Sequence, residues 1–158
     1  MKELDPNLTQ AVIAQNKNRT SWQEHDTAQN VASFLIDESQ ELDQAVEEAM
    51  IGGSAFCVAS EVGDVIYLYT KLVSLCEKEP TVYKAYYEYA LYICELCGID
   101  PNDALKLKLL RNSYKYPDYL HNNGLSWQEA TQTSKDVWKQ LGGDSVFSQM
   151  YEQLSEQL

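Results

Sequence analysis

The sequence has few helix-breaking residues and no long apolar run. Seven glycines and four prolines are spread over 158 residues. No stretch alternates apolar and polar residues with β-branched enrichment, as a half-buried strand requires, so we predict an all-α fold. No apolar run approaches the roughly 20 residues that cross a bilayer, and the first residues lack the apolar core of a secretory signal. We therefore expect a cytoplasmic protein without a membrane partner.

Positive charge is also scarce. Twelve Lys and Arg residues stand against 24 Asp and Glu, giving a formal net charge of −12. Such a balance argues against nucleic acid or an anionic membrane as the main partner. It still permits an anionic ligand wherever bound cations neutralise the site locally. The length is that of one ordinary domain, so we treat residues 1–158 as a single domain with its own core.

Residues that bind soft metals are few, since the chain has two His and four Cys. Cys94 and Cys97 are spaced as CxxC, but no second pair of this kind accompanies them. His25 and His121 are far from them in the sequence. We favour reduced thiols in a helical core over a zinc site or a redox dithiol.

The chain does contain two acidic pairs at helical spacing, Glu38 with Glu41 and Glu61 with Asp64. Residues three apart share one face of a helix, and both pairs interrupt runs whose apolar residues repeat with helical periodicity. Glu38 projects from the middle of its apolar stripe and Glu41 from the edge. Carboxylates on a buried face are costly unless they are paired or bound to a cation. The pairs are therefore candidate ligands for divalent metal, with ordinary solvated acidic pairs as the alternative.

Both acidic pairs fall on helices that we expect to be neighbours. The predicted bounds are 28–51, after a Thr27 cap, and 55–77, after a Ser54 cap. Gly52-Gly53 separates the two helices, and so short a link makes them antiparallel. With a rise of about 1.5 Å per residue, Glu41 lies about 15 Å before the turn and Glu61 about 12 Å after it. The two pairs are thus expected at similar height.

Further helical segments are predicted on both sides of this pair. Gly98 ends a tyrosine-rich helix, and Asp100-Pro101 begins the next one in the preferred cap-then-proline order. The later segments are 81–97, 102–114, 126–141, opened by a capping box of Ser126 and Glu129, and a last amphipathic piece from 144 or 145 with Val146, Phe147, Met150, Tyr151 and Leu154. Upstream, the pattern indicates a weak amphipathic segment around residues 8–14 and a turn in which Ser21 and Glu24 are spaced as a capping box.

Three other features have both a structural and a functional interpretation. The four basic residues between positions 106 and 115 form either a solvated basic face or a set of phosphate ligands. Trp22 is either part of a hydrophobic staple or a platform for a flat ligand such as a base. The tyrosines of segment 81–97 favour a core edge or a subunit interface over a cofactor site.

Taken together, these segments resemble the MazG-like, all-α nucleoside triphosphate pyrophosphohydrolases. The family pattern EExxE, spacer, ExxD is similar to DESQE at 37–41, nineteen residues, then EVGD at 61–64. KLLRNSYKYP at 108–117 resembles the K…N..(K/R)YP element of the family, and SWQEH at 21–25 is similar to the DWEQFH stretch of its dCTP pyrophosphatase-type members. Asp37 replaces the first Glu of the pattern and points off the apolar stripe, so we do not expect it to be a ligand.

The resemblance implies an antiparallel helical bundle of the family's type, with extra C-terminal helices, and an enzyme that uses Mg²⁺, with Mn²⁺ as a substitute. The implied metal ligands are Glu38, Glu41, Glu61 and Asp64. Water would attack the α-phosphorus in line, giving a nucleoside monophosphate and pyrophosphate, with Glu38 and Glu41 as the catalytic carboxylates and Glu41 as the favoured proton acceptor. The implied substrate-binding residues are Trp22 and His25 for the base, and Lys108, Arg111, Asn112, Lys115 and Tyr116 for the phosphates and sugar.

The resemblance covers about residues 20–120 and leaves 118–158 as an accessory helical tail without a chemical motif. It implies a nucleoside triphosphate substrate, a role in clearing the nucleotide pool, and a homodimer or homotetramer. A phosphoribosyl-ATP pyrophosphohydrolase is the alternative within the same fold group. The alternatives outside it are a non-catalytic helical interaction module that retains the carboxylates, and an acidic bundle without a ligand.

Overall fold

The protein is all-α, as predicted, in a computed structural model that describes residues 2–145 and 147–149. Eight helices are delimited in this part of the chain, and it contains no strand. They are α1 (Pro6–Lys17), α2 (Thr20–His25), α3 (Ala28–Met50), α4 (Ala55–Leu75), α5 (Thr81–Cys97), α6 (Pro101–Lys115), α7 (Asp118–His121) and α8 (Trp127–Gln140). Residues 143–145 and 147–149 are helical as well.

The local signals in the sequence predict α3, α4, α5, α6 and α8 well, with bounds right to within about two residues. Side-chain oxygens accept the backbone N–H groups that each helix start leaves unpaired. Four predicted caps are present: the side chains of Thr27, Ser54, Asp100 and Ser126 accept from the backbone N–H groups of Asn30, Phe56, Asn102 and Glu129, respectively. A cap by Thr81 is also predicted but is wrong, because Thr81 lies inside α5 and Pro80 is the N-cap residue. Gly98 ends α5 in the left-handed conformation, with a φ of 68°.

The beginning of the chain is more helical than its pattern indicates. α1 extends over 12 residues, and α2 replaces the predicted turn. The predicted capping box is wrong, because Ser21 lies inside α2 and Arg19 is the N-cap residue. The Ser21 hydroxyl instead lies 2.9 Å from Nδ1 of His121. The hydrogen bond of Ser21 is therefore determined by a residue a hundred positions away in the sequence and not by its own helix.

The last predicted amphipathic piece is described only in part. Phe147 is buried, and its ring lies 6.2 Å from that of Trp138. The other apolar residues of that prediction, Val146, Met150, Tyr151 and Leu154, lie outside the described residues.

α4 is the central helix of the bundle. It packs against α1, α3, α5 and α6, and its packing against α3 is the most extensive in the described chain. Gly63 permits a close approach of α6, because a Cβ at this position would lie 2.7 Å from the carbonyl oxygen of Ala104. The turn of α4 that carries Glu61 and Asp64 is therefore held directly against α6, which carries the basic residues.

α8 packs on the bundle beside α2, α6 and α7. His121, at the end of α7, is buried, and its two ring nitrogens lie 2.9 Å from Ser21 Oγ and 2.8 Å from Ser134 Oγ. Burial, followed by the charge of Arg19, lowers the pKa of His121 to about 4, so the ring is neutral at physiological pH. One neutral imidazole thus connects α2, α7 and α8.

Other predictions concern the surface of the molecule. No helix delimited in the described part of the chain is long and apolar enough to cross a membrane. The four cysteines are free thiols, but Cys57 and Cys97 are exposed, so the prediction of core thiols is wrong for these two. On α5, Tyr87 stacks on Tyr69 of α4 with ring centroids 4.7 Å apart. The tyrosine-rich helix therefore packs at a core edge.

Candidate functional site

Three of the four predicted metal ligands come together in the structure. One carboxylate oxygen each from Glu38 on α3 and from Glu61 and Asp64 on α4 lie within 4.8 Å of one another. Asp64 is buried, whereas Glu38 and Glu61 are half-buried. Glu41 is exposed and lies outside this tight group, although its charge is near enough to help raise the pKa of Glu38. We call Glu38, Glu61 and Asp64 the carboxylate cluster.

The carboxylate cluster is poorly satisfied by the protein itself. Oε2 of Glu38 and Oε2 of Glu61 are buried and have no hydrogen-bond partner among the residues that the structure describes. Oδ1 of Asp64 lies 2.6 Å from Lys108 Nζ, an ion pair whose angles fall outside hydrogen-bonding geometry. Burial, followed by the charge of Asp64, raises the pKa of Glu38 to about 9 and that of Glu61 to about 7.

These properties fit a hard divalent cation. Carboxylate oxygens are the ligands that Mg²⁺ and Mn²⁺ prefer, and unpartnered buried oxygens are costly unless a cation or a proton compensates them. In the protein alone, protons supply that compensation, because burial and the charge of Asp64 raise the pKa values of both glutamates. A metal ion of this kind would satisfy the same oxygens, so the residues present match the group that the sequence pattern implies.

A basic cavity of about 450 Å³ opens on one side of the carboxylate cluster. Its three basic side chains come from α6, and five carboxylates and Tyr116 line it with them. The basic residues are Lys108, Arg111 and Lys115, and the carboxylates are Glu38, Glu41, Glu61, Asp64 and Asp144. Burial, followed by the charge of Arg111, lowers the pKa of Lys115 to about 8. The remaining basic residue of this segment, Lys106, is half exposed and lies 3.9 Å from Asp103. Three of the four basic residues between 106 and 115 thus face one cavity.

Arg111 already has an acidic partner in this cavity. Its Nε and Nη2 atoms lie 3.0 and 2.8 Å from Oδ1 of Asp144, which follows α8 in the chain. Asp144 is itself exposed, whereas the side chain of Arg111 is only 15% exposed. An anionic ligand that enters the basic cavity therefore competes with the carboxylate of Asp144 for Arg111.

A second, aromatic cavity of about 320 Å³ opens on the other side of the cluster. Its flat or apolar lining comes from Trp22, Phe34, Tyr67, Leu68, Tyr116 and Trp127. Five side chains line both cavities, namely Glu38, Glu41, Asp64, Lys108 and Tyr116. The two cavities therefore meet at the carboxylates, with aromatic rings on one side and cations on the other.

The predicted base-binding residues have different positions in this aromatic cavity. Trp22 lines it but is only 7% exposed, with the rings of Tyr116 and His121 packed edge-on at 5.7 Å. His25 is not among the lining residues. Its ring stacks behind Trp127, with centroids 3.7 Å apart. Trp22 is thus a wall of the cavity, and His25 supports another wall.

Asn112 lines the aromatic cavity and is 2% exposed. Its Nδ2 donates to Oε1 of Gln15 at 3.2 Å, and its Oδ1 has no hydrogen-bond partner in residues 2–145 and 147–149. Gln15 is held in this orientation because its Nε2 donates to the carbonyl of Leu109 and its Oε1 accepts from Tyr67. The network therefore leaves the side-chain oxygen of Asn112, Oδ1, available as an acceptor.

Several residues of the site were not predicted from the sequence. Trp127 and Thr131 of α8 line the aromatic cavity, as does Lys135, although the segment after 118 was expected to be accessory. Their spacing of four residues marks one helix face, but no local signal shows which element that face contacts. Asp26 and Lys71 also line the cavity as a buried ion pair. The presence of Lys71 within the apolar segment of α4 was the feature of the sequence that could have indicated a buried ion pair.

Comparison with known proteins finds no matching family model, no matching curated protein and no matching solved structure. The function of the protein must therefore follow from the chemistry of its own site.

Proposed function

We propose that the protein is a Mg²⁺-dependent nucleoside triphosphate pyrophosphohydrolase that releases a nucleoside monophosphate and pyrophosphate. The observation that supports this most directly is the position of the carboxylate cluster, between an aromatic cavity and a basic cavity. A nucleoside triphosphate has a flat ring at one end and a chain of anionic oxygens at the other. The site offers a matching surface for each end, with acidic ligands at the junction.

In this proposal Glu38, Glu61 and Asp64 hold the metal, and Glu41 completes the set from the edge of the site. When bound, Mg²⁺ or Mn²⁺ supplies charge neutralisation for the phosphates and lowers the pKa of water. The carboxylate of Glu41 is the suitable proton acceptor, because it is exposed and lines both cavities without belonging to the tight group. Water oxygen bonds to the α-phosphorus, the bridging oxygen leaves with pyrophosphate, and the proton of the water passes to Glu41.

The basic residues hold the leaving group. Arg111 and Lys115 bind phosphate oxygens in the basic cavity, where charge increases as pyrophosphate departs. Lys108 has to exchange its contact with Asp64 for one with phosphate, which becomes favourable when other charges compensate the carboxylate. Asn112, which lines the aromatic cavity, and Tyr116, which lines both cavities, contact the sugar, and Trp22 borders the base.

Pyrophosphate release from a panel of nucleotides tests this function. The panel contains the ribonucleoside and deoxynucleoside triphosphates and phosphoribosyl-ATP, with Mg²⁺ or with a chelator. Glu41→Gln is expected to lower kcat by at least about 100-fold, the usual loss when a general base is removed. Asp64→Asn removes a charged metal ligand and is expected to abolish the Mg²⁺-dependent activity. Glu47→Gln on the exposed face of α3 is the matched control. A wild-type protein that cleaves none of these compounds with metal present overturns the proposal.

We also propose that the protein works as a homodimer or homotetramer. Large apolar side chains are exposed at the end of α3 and along α5, among them Met50 at 81%, Ile51 at 87% and Leu96 at 63%. Exposed apolar groups of this kind are common at subunit interfaces. Light scattering of the wild type and of Ile51→Glu gives the test, and a monomeric wild type at micromolar concentration contradicts the proposal.

A further inference from the structure

The aromatic cavity is bordered by a buried ion pair that the proposed reaction does not use. Lys71 of α4 binds Asp26, the residue after α2, through its Nζ atom and the Oδ2 atom of the carboxylate. Both side chains line the cavity, and each is less than a tenth exposed. Burial lowers the pKa of Lys71, and the charge of Asp26 opposes that effect. The pair is therefore a buried charged group beside the aromatic rings of this cavity, in addition to the charged side chains at its junction with the basic cavity.

A structural tie between α2 and α4 is the simplest role for this pair, but it does not account for the residue types. Well-packed apolar side chains stabilise such a contact at least as well as a buried ion pair, because two charges must be desolvated to form the pair. The chemistry of the two groups also remains partly unused. Asp26 is the one hydrogen-bond acceptor that Lys71 Nζ has among the described residues, although an ammonium carries three N–H donors.

The carboxylate of Asp26 has unused capacity as well. Oδ1 lies 2.7 Å from Nδ1 of His25, and Oδ2 accepts from Lys71. Each of these oxygens has a second lone pair. The ion pair therefore presents hydrogen-bond donors beside hydrogen-bond acceptors at the cavity wall.

The surroundings of the pair restrict what can meet it. Nζ of Lys71 lies 4.8 Å from the centre of the Trp22 ring, and Trp127 contributes a second ring to the lining. On α8, Thr131 is 8% exposed, and its buried Oγ1 has no hydrogen-bond partner within the described part of the chain. A ligand that fills this space is expected to be flat, with polar atoms along its edge.

We propose that Asp26 and Lys71 recognise the edge of a nucleobase in the aromatic cavity. A ring carbonyl or ring nitrogen accepts from Lys71, and a neighbouring N–H of the base donates to Asp26. The proposal rests on the proposed function for the triphosphate end of the ligand and adds the recognition of the base. Lys71 and Asp26 are thereby specificity-determining residues that have no part in bond cleavage.

The test uses a double variant, Asp26→Asn with Lys71→Met. Removing Lys71 alone leaves a buried, unpaired carboxylate and can unfold the protein, whereas the double variant keeps similar volumes without buried charge. The matched control is Glu79→Gln with Lys84→Met, which removes an ion pair of 3.2 Å on the surface, far from the cavity lining. Circular dichroism first establishes that both variants are folded.

Two substrates separate base recognition from catalysis. With the best of the four common deoxynucleoside triphosphates, the double variant is expected to lose about 10- to 100-fold in kcat/KM, the range for lost hydrogen bonds to charged groups. With deoxyribose 5-triphosphate, which lacks a base, it is expected to change less than about 3-fold, as the control variant does with both substrates. Equal losses on the two substrates, or no loss on either, overturn the proposal while leaving the proposed function intact.

A binding experiment keeps the inference testable even without turnover. The four deoxynucleosides, which have no phosphate, are titrated calorimetrically into metal-free wild type and double variant. Binding of at least one deoxynucleoside to the wild type, with a loss of 10-fold or more in the double variant, supports recognition of the base whether or not pyrophosphate is ever released. Absence of binding in the wild type, or equal binding to both proteins, overturns it.

Discussion

Replacing Glu38 by Gln is expected to stabilise the metal-free protein and to remove its response to magnesium. Glu38, Glu61 and Asp64 bring three carboxylate oxygens within 4.8 Å of one another. Two unit charges at about that distance repel by about 3 kcal/mol at an effective dielectric constant of about 20. The wild type therefore either bears this repulsion or takes up a proton, and both lower the free energy of unfolding. Glutamine has the same shape, no charge, and an amide that can donate to the neighbouring carboxylates.

The expected gain is smaller than the full Coulomb repulsion, because Glu38 is half-buried and water screens it. In chelator at pH 8, we expect the free energy of unfolding of Glu38→Gln to be about 1–2 kcal/mol higher than that of the wild type. This corresponds to a rise of about 2–8 °C in Tm for a chain of this size. With magnesium at about 100 times its Kd, the wild type gains about 2.7 kcal/mol, whereas the variant gains little. The order of the two Tm values thus reverses when the metal is added.

The pH dependence gives a second readout of the same variant. The pKa of Glu38 is raised to about 9 in the folded protein, so the folded state binds the proton more tightly than the unfolded state does. Stability from this group is complete below the unfolded pKa of about 4.3 and is lost as pH rises toward 9. The Tm of the wild type in chelator is expected to fall between pH 5 and 9 more steeply than that of Glu38→Gln.

Differential scanning calorimetry at several pH values, with chelator or with magnesium, measures these quantities. Glu47→Gln, on the exposed face of α3, is the control and is expected to change the free energy of unfolding by less than about 0.5 kcal/mol. If Glu38→Gln is less stable than the wild type in chelator and responds equally to magnesium, the cluster is a structural network rather than a cation site.

Three further predictions concern neighbouring residues. Lys108→Met is expected to bind Mg²⁺ several-fold more tightly in calorimetry, because the ammonium group 2.6 Å from Asp64 competes with the metal, and to have a higher KM for a nucleotide. Weaker Mg²⁺ binding by the variant contradicts this competition. Gly63→Ala is expected to lower stability by about 1–3 kcal/mol in denaturant unfolding, because its Cβ would lie 2.7 Å from the Ala104 carbonyl; an unchanged midpoint contradicts this. His121 has a pKa lowered to about 4 in the folded protein, so its contribution to the free energy of unfolding is present above the unfolded pKa of about 6.5 and is lost as pH falls toward 4. His121→Gln is expected to make the free energy of unfolding less dependent on pH between about 6.5 and about 4, and equal pH dependence in the two proteins contradicts this.

The sequence predicts those parts of the fold that local chemistry determines. Helical periodicity and the caps at Thr27, Ser54 and Asp100 define α3, α4 and α6 because each signal acts within one turn of helix. α2 was not predicted, because its contacts are made with residues distant in sequence. Ser21 hydrogen-bonds to His121, a hundred residues away, instead of capping its own helix, and the local sequence pattern does not contain that information.

The same distinction applies to the site. Glu38, Glu61 and Asp64 were found because helical spacing and a short link bring them to one height. Glu41 lies outside the carboxylate cluster because it is at the edge of the apolar stripe of α3 rather than at its centre. Trp127, Thr131 and Lys71 depend on how whole helices pack, and their chemistry becomes visible only when α8 and α4 enclose a common cavity.

The electrostatics of the two cavities favour one kind of ligand over its separate parts. Burial raises the pKa of Glu38 and Glu61 and lowers that of Lys115, so these two glutamates and this lysine lack sufficient counter-charge within the protein. A cation alone would compensate the acids and leave Arg111 and Lys115 close together, whereas a polyphosphate alone would meet the uncompensated carboxylates. A metal–polyphosphate complex relieves both, and by linkage each component then increases the affinity for the other. Binding measured with magnesium and a non-hydrolysable nucleotide together is for that reason more informative than binding of either component by itself.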